Sequence, residues 1–146
     1  MTPDDARAIA EWRYEPEYAL YDHDPESATR LLDAKFDYYA ALGARGEVVG
    51  YCCFGDDARV PGLAADEGIL DVGGGLRPDL TGIGLGAGFL RAVCELGREL
   101  YEPRGYRVVV AAFNRRAQRV AAALGFEQTG FHSTGERDFM LLTREA

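Results

Sequence analysis

A mixed α/β (α+β) fold, a central sheet with helices on its faces, is the class this sequence predicts. Three observations carry that expectation. Residues 36–54 read as a two-stranded hairpin interrupted by a Gly-Ala-Arg-Gly turn. From residue 69 onward strand-like and helix-like periods alternate as β-α-β-α-β, the order of helices laid over a sheet. Residues 106–113 (YRVVVAAF) are almost continuously apolar, as a strand buried on both faces must be. At 146 residues, with no internal repeat, low-complexity tract or linker, the chain reads as one domain over 1–146. A chain of this length buries roughly 70% of its unfolded surface, so its core needs no metal or disulfide staple.

The elements follow in order. Thr2-Pro3-Asp4-Asp5 is a helix start, with Thr2 as N-cap, Pro3 in the first turn and Asp5 three residues after the cap. Ala6, Ile9 and Ala10 then share one face, followed by Trp12. Residues 13–24 (RYEPEYALYDHD) break the pattern and read as a loop. Asp24-Pro25 opens a second short helix carrying Ala28, Leu31 and Leu32. Strands are expected over 36–42 and 47–54, a polar loop over 55–67 and a third strand over 69–76. A helix over about 86–100 places Phe89, Leu90, Val93, Leu96 and Leu100 on its apolar face. After the buried strand, Asn114 caps another helix with Ala117, Val120, Ala121 and Leu124 inward, and Gly125 ends it. Two strands close the chain, over 126–132 and 138–143.

Composition narrows the function classes. With 47% hydrophobic and 27% charged residues, disorder is excluded. No apolar run reaches the ~18–20 residues of a membrane span. The first residues carry acidic groups and no apolar stretch, so neither a secretory nor a transit leader is expected, and the expected location is the cytoplasm. Cys52, Cys53 and Cys94 form no CxxC or Cys/His cluster, so buried thiols are expected rather than a metal site. His23 and His132 lie far apart and read as structural or exposed. The formal charge is −8, which argues against nucleic acid as a partner. That charge is uneven: residues 1–73 hold 16 acidic and 6 basic residues, and residues 74–146 hold 8 and 10. The front half would favour a cation and the back half an anion.

The most informative stretch is residues 81–88, Thr-Gly-Ile-Gly-Leu-Gly-Ala-Gly, between a strand and a helix. Glycines let backbone N–H groups approach a ligand closely, and the helix start adds free donors and a positive dipole end. Together these suit a phosphate or pyrophosphate. A Walker A loop would need Lys-Ser/Thr after its last glycine, and none follows. The dinucleotide fingerprint G-x-G-x-x-G/A matches literally at Gly82, Gly84 and Ala87, but the acidic residue expected about 20 positions on is missing from residues 108–113. A glycine-rich turn with no ligand stays open, at up to ~1 kcal/mol for each glycine relative to alanine in the helix.

The remaining reading is a resemblance. Pro78 followed by Thr81-Gly82-Ile83-Gly84-Leu85-Gly86 resembles the Q/R-x-x-G-x-G/A pyrophosphate loop of the GNAT superfamily of acyl-CoA-dependent N-acetyltransferases. Asn114 followed by Leu124-Gly125-Phe126 resembles that family's second pattern, in the same order along the chain. Trp12, Tyr14, Pro16, Tyr18 and Tyr21 look like a bacterial branch with a tyrosine-rich first loop. Two positions depart: Thr81 replaces the usual Gln or Arg, and Ala121 stands where many members place the tyrosine that protonates the leaving thiolate.

The resemblance implies a mixed central sheet of six to seven strands with helices on both faces. It also implies acetyl-CoA as co-substrate, no metal, and direct attack by an amine of a small molecule or protein, with a homodimer as a further expectation. The donor would be held by Gly74, Gly75, Leu76, Thr81, Gly82, Ile83, Gly84, Leu85, Gly86, Ala87, Asn114 and Arg116, with the N–H of Gly75 or Leu76 facing the oxyanion. Asp71 is the expected base for the amine's proton, then Glu67 and Asp66, with a water chain as another route. Tyr14, Tyr18, Tyr21, Tyr38 and Tyr51 would line an aromatic cleft for a cationic acceptor. Ala121 also leaves open a CoA-binding sensor or structural module that has lost catalysis.

Overall fold

The computed structural model describes residues 1–146. Helices α1 (Pro3–Glu11) and α2 (Ser27–Leu32) precede strands β1 (Tyr38–Leu42), β2 (Val48–Phe54) and β3 (Ile69–Leu76). Then follow α3 (Gly86–Tyr101), β4 (Gly105–Ala111), α4 (Arg115–Ala123), β5 (Glu127–Ser133) and β6 (Asp138–Glu145). The six strands form one sheet in the order β1-β2-β3-β4-β6-β5, and β3–β4 is its parallel pair. The α/β class and the order of elements agree with the sequence expectation.

Local departures have local causes. The first strand starts at Tyr38 rather than 36, because residues Ala34–Phe36 form a 3₁₀ turn that ends on Asp37 at φ 52°. The supposed loop 13–24 contains a 3₁₀ helix, Pro16–Tyr21, which Pro16 starts. The capping box at Thr2 and Asp5 forms as expected, each side chain accepting from the other's backbone N–H at 3.1 and 3.0 Å.

Strand alternation divides the core between the two faces of the sheet. On one face Cys52, Phe54, Val72, Tyr106, Val108 and Val110 pack with Val93 and Cys94 of α3 and Ala121 of α4. Tyr106 is fully buried there and its hydroxyl donates to the Cys94 carbonyl at 3.0 Å. On the other face Ala6, Ile9, Trp12 and Leu31 pack against Tyr38, Val48 and Tyr51. All three cysteines are free and buried, and burial pushes the Cys52 and Cys53 thiols up to about 12.

The feature that positions everything else is the short pairing of β3 with β4. Their ladder covers only Ile69–Asp71 against Gly105–Arg107, while β4 continues beside β6 to Ala111. Beyond Asp71 the two strands part. At the point of parting Asp71, 1% exposed, takes Arg107 Nε at 2.6 Å and Nη2 at 3.1 Å, with Arg59 Nη1 at 2.8 Å. Arg107 also donates to the Ala64 carbonyl at 2.9 Å, and Arg59 reaches Asp56. One carboxylate thus ties two strands and the 55–67 segment together. Breaking a buried ion pair from one side leaves uncompensated charge, at a cost of about 3–5 kcal/mol. Asp71→Asn should therefore lower unfolding free energy by that order in urea titrations. A variant as stable as the parent would show that the two arginines do not depend on the carboxylate.

Candidate functional site

The mouth of the opening is built from the ends of β3 and β4, the turn before α3, the start of α4 and the tyrosine-bearing loop. Seven successive backbone N–H groups, of residues 82–88, donate to no group of the protein; donation stops with Thr81 to Pro78 and resumes with Phe89 to Leu85. No side chain caps α3 either. Gly82 and Gly84 sit at φ 72° and 88°, a region side-chain-bearing residues avoid. At Gly86 a Cβ would come within 2.7 Å of Val120 Cγ2, so that glycine lets α3 and α4 approach. Leu85 precedes α3 as its cap, Ala87 lies in its first turn, and Ile83 is 62% exposed at the crest of the turn. The result is a rim of donors with no carboxylate among them, at the positive end of a 16-residue helix.

The β3 lip carries its own donor. In an antiparallel pair, the N–H and C=O of one residue point to the same side. Arg77 N–H bonds the Val49 carbonyl at 2.8 Å, across to β2, and Gly75 stands opposite Tyr51. Leu76, between them, turns its carbonyl the other way, where the Tyr14 hydroxyl donates to it at 2.7 Å. The Leu76 N–H therefore faces the opening, whereas that of Gly75 belongs to the β2 ladder. Gly74 has φ 156°, and a Cβ on it would run into the Tyr51 carbonyl oxygen, so only glycine lets the strand pass here. Around Gly75 stand the hydroxyls of Tyr14 and Tyr51, 3.2 and 3.4 Å from where its Cβ would be.

The opposite lip is Asn114. Its Oδ1 accepts from Ala117 N–H at 3.0 Å, capping α4, and its Nδ2 donates to the Tyr21 hydroxyl at 2.9 Å. Tyr14 and Tyr21 meet edge to face at 6.5 Å, and Phe113 packs near Tyr18 and Tyr21. The loop from Tyr14 to Asp22, folded back by Tyr14 N–H to Asp22 Oδ1 at 2.7 Å, is thus hooked to one strand end by Tyr14 and to the other by Tyr21. Burial raises the phenol pKa of Tyr14, Tyr21 and Tyr51 above 10, so each hydroxyl keeps its proton at neutral pH. Arg116 stacks 4.3 Å over the Tyr18 ring, beside Gly82.

The structure engages several of the expected residues elsewhere. Asp71 is not placed to act as a base: it is inside the protein, with two guanidiniums on its oxygens. Glu67 is exposed and precedes β3, whose length of about 23 Å separates it from the turn; its carbonyl serves as an acceptor for Arg104. Asp66 lies at that same far end. Thr81 closes the turn, its hydroxyl donating to the Pro78 carbonyl at 2.7 Å, so its proton does not point at the glycine rim. Ala121 is buried in the α3-side core and brings no hydroxyl to the mouth. Tyr38 lies away from the opening, donating to Asp57 at 2.9 Å. The sequence shows the tyrosines as a group; the fold separates those on the lips, Tyr14 and Tyr21, from the rest.

A sequence profile of the acetyltransferase (GNAT) domain family matches residues 1–127. The chain belongs to that family. No curated protein sequence matches it. Among solved structures, the aminoglycoside acetyltransferase AAC(6')-Ib in complex with ribostamycin and coenzyme A superposes with TM-score 0.77 at 22% identity, over 99% of this chain and 90% of that one. A spermidine N-acetyltransferase SpeG chimera from Vibrio cholerae and hSSAT gives 0.73 at 14%, over 99% and 92%. The ribosomal-protein-S5-alanine acetyltransferase from Vibrio fischeri gives 0.65 at 16%, over 99% and 90%. These likenesses concern the fold.

His23 reports on how tightly this aromatic end is packed. Its ring stands edge-on to Tyr51 at 5.1 Å, and its buried Nε2 has no hydrogen-bond partner. Burial lowers its pKa below 6.5, against a smaller opposing pull from Asp24. The unfolded chain then binds the proton more readily, so folding stability should decline as pH falls below 6.5. His23→Phe should flatten that part of the profile in urea titrations between pH 5 and 7.5. An unchanged slope would assign the acid sensitivity elsewhere.

Proposed function

We propose that this GNAT acetyltransferase chain moves an acetyl group from acetyl-CoA to the amine of a small-molecule acceptor at the parted ends of β3 and β4. The observation that carries this reading is the run of seven unpaired N–H groups at residues 82–88, directly beside the parted strands. That rim would take the pyrophosphate, with Arg116 alongside and Asn114 holding the start of α4. The open edge of β3, at Gly74 and Leu76, would pair with the amides of the pantetheine arm as a neighbouring strand does. The bound donor supplies a thioester carbonyl open to attack by an amine. The Leu76 N–H would donate to the oxygen that gains charge, a contribution that grows only as the barrier is climbed. With Asp71 engaged by two arginines, the proton of the acceptor's ammonium would leave through solvent.

A cationic acceptor suits the acidic front half, since Glu15, Glu17 and Asp22 lie on the loop that borders the opening. The names of two structural neighbours, an aminoglycoside and a spermidine acetyltransferase, support an acceptor of this kind. The alternative, a CoA-binding module without catalysis, is favoured by one observation: Ala121 faces the core and supplies no acid.

Three measurements separate these readings. CoA at 100 times its Kd should add about 2.7 kcal/mol to folding stability, and NAD or ATP less. Gly84→Val should abolish CoA binding in calorimetry while the protein stays folded, because φ 88° excludes a β-branched side chain and the rim must turn away. Unchanged affinity would sink the pyrophosphate assignment. Thiol release from acetyl-CoA across aminoglycosides, polyamines, amino acids and peptides should pick out cationic amines, at rates that fall with salt. Tight CoA binding with no turnover on any amine would select the non-catalytic module.

A further inference from the structure

We propose that Tyr21 is the proton donor to the departing sulfur, in place of the residue that Ala121 does not supply. The inference rests on the acetyl-transfer reading above. It follows from where the protons of the hydroxyls lie. The Tyr14 hydroxyl donates to the Leu76 carbonyl, so its hydrogen is engaged in holding β3. Thr81 donates to Pro78 in the same way. The Tyr21 hydroxyl instead accepts, from Asn114 Nδ2, and no acceptor in the protein takes its own hydrogen. Asn114 is itself fixed by the bond from Ala117 N–H, so its amide can present only the NH₂ to Tyr21. The phenol is therefore oriented with one lone pair filled and its O–H free.

Its location matches the role. Tyr21 is tied to Asn114, three residues beyond the end of β4, and its ring meets that of Tyr14, which is tied to β3. Its hydroxyl is held at the Asn114 lip, and a thioester lying along the parted strands would present its sulfur there. Tyr51, whose hydroxyl also stands near Gly75, belongs to β2, and its ring packs with Trp12, Tyr38 and His23 rather than with Asn114.

The step balances simply. The amine's lone pair forms the N–C bond, and the C–S electron pair leaves on sulfur. The Tyr21 proton goes to sulfur to give the thiol. The phenolate then recovers a proton from solvent, which has received the one lost by nitrogen. The acid chemistry is that of any positioned phenol.

The test compares CoA with desulfo-CoA by calorimetry at pH 7 and pH 10, in the parent and in Tyr21→Phe. At pH 10 the CoA thiol is largely ionised, and a free O–H donated to a thiolate is a hydrogen bond to a charged group. Tyr21→Phe should weaken CoA at pH 10 by roughly ten- to hundredfold and leave desulfo-CoA unchanged at both pH values. Its kcat should fall about 10²-fold with little change in the KM for acetyl-CoA. Should Tyr21→Phe loosen the loop, a fluorinated tyrosine at position 21 keeps the shape and is a stronger acid. The preference for CoA over desulfo-CoA should then disappear at a lower pH than in the parent. Equal thiolate preference and equal kcat in parent and Tyr21→Phe would overturn the proposal while leaving acetyl transfer standing. Failure of the parent to bind either CoA or desulfo-CoA would overturn the donor site, and this proposal with it.

Discussion

The ion pair of Asp71 with Arg107 and Arg59 is the interaction on which the rest of the arrangement turns. Parallel strands held together along their whole length would leave no room between them. Strands with no cross-link would separate without a defined apex. Here the last paired residues of the two strands are the charged partners themselves, Asp71 opposite Arg107. The carboxylate is desolvated, yet each oxygen has a guanidinium N–H on it, which is the condition under which a buried charge is tolerable. Because Arg59 and the Ala64 carbonyl join the same knot, the 55–67 segment is fastened to the apex. The outer end of the opening is left to the glycine turn and the tyrosine loop.

Those two outer parts use different physics. The turn before α3 acts through main-chain dipoles, which need no side chain and no particular protonation state. The tyrosine loop acts through hydroxyls, each tied to a different strand end. A short loop hooked to both lips fixes the width of the mouth. The separation of β3 from β4 is thereby set at the apex by charge and at the rim by two neutral hydrogen bonds.

Much of this was legible in the sequence where the signal is local. The Asn114 cap, the third strand at 69–76, the glycine turn and the capping box at Thr2 all depend on residues within a few positions of one another, and all appear where expected. The engagement of Asp71 is not legible because its partners are distant: Arg59 lies 12 residues away and Arg107 36. A lone aspartate in an apolar strand looks the same from the sequence whether it awaits a substrate or faces a guanidinium. The tyrosines were visible as a group, but donor and acceptor roles depend on contacts 62 and 93 residues apart. Thr81 is the reverse case: its partner is three residues away, and the turn it closes is a short-range pattern that a ligand-minded reading passes over.

The three cysteines acquire a meaning beside an activated acyl group. A thioester exchanges its acyl group with any thiolate that reaches it, and would leave the protein esterified on sulfur. Cys52 and Cys53 sit on β2, next to the strand whose open edge borders the mouth, and Cys94 lies beneath the same sheet. All three are sealed in the interior, and burial, the largest cause for each, raises their thiol pKa values. The apolar packing that stabilises the sheet therefore also insulates it chemically: small, dense, polarisable side chains fill the core without competing for the acyl group that the fold would handle a few residues away.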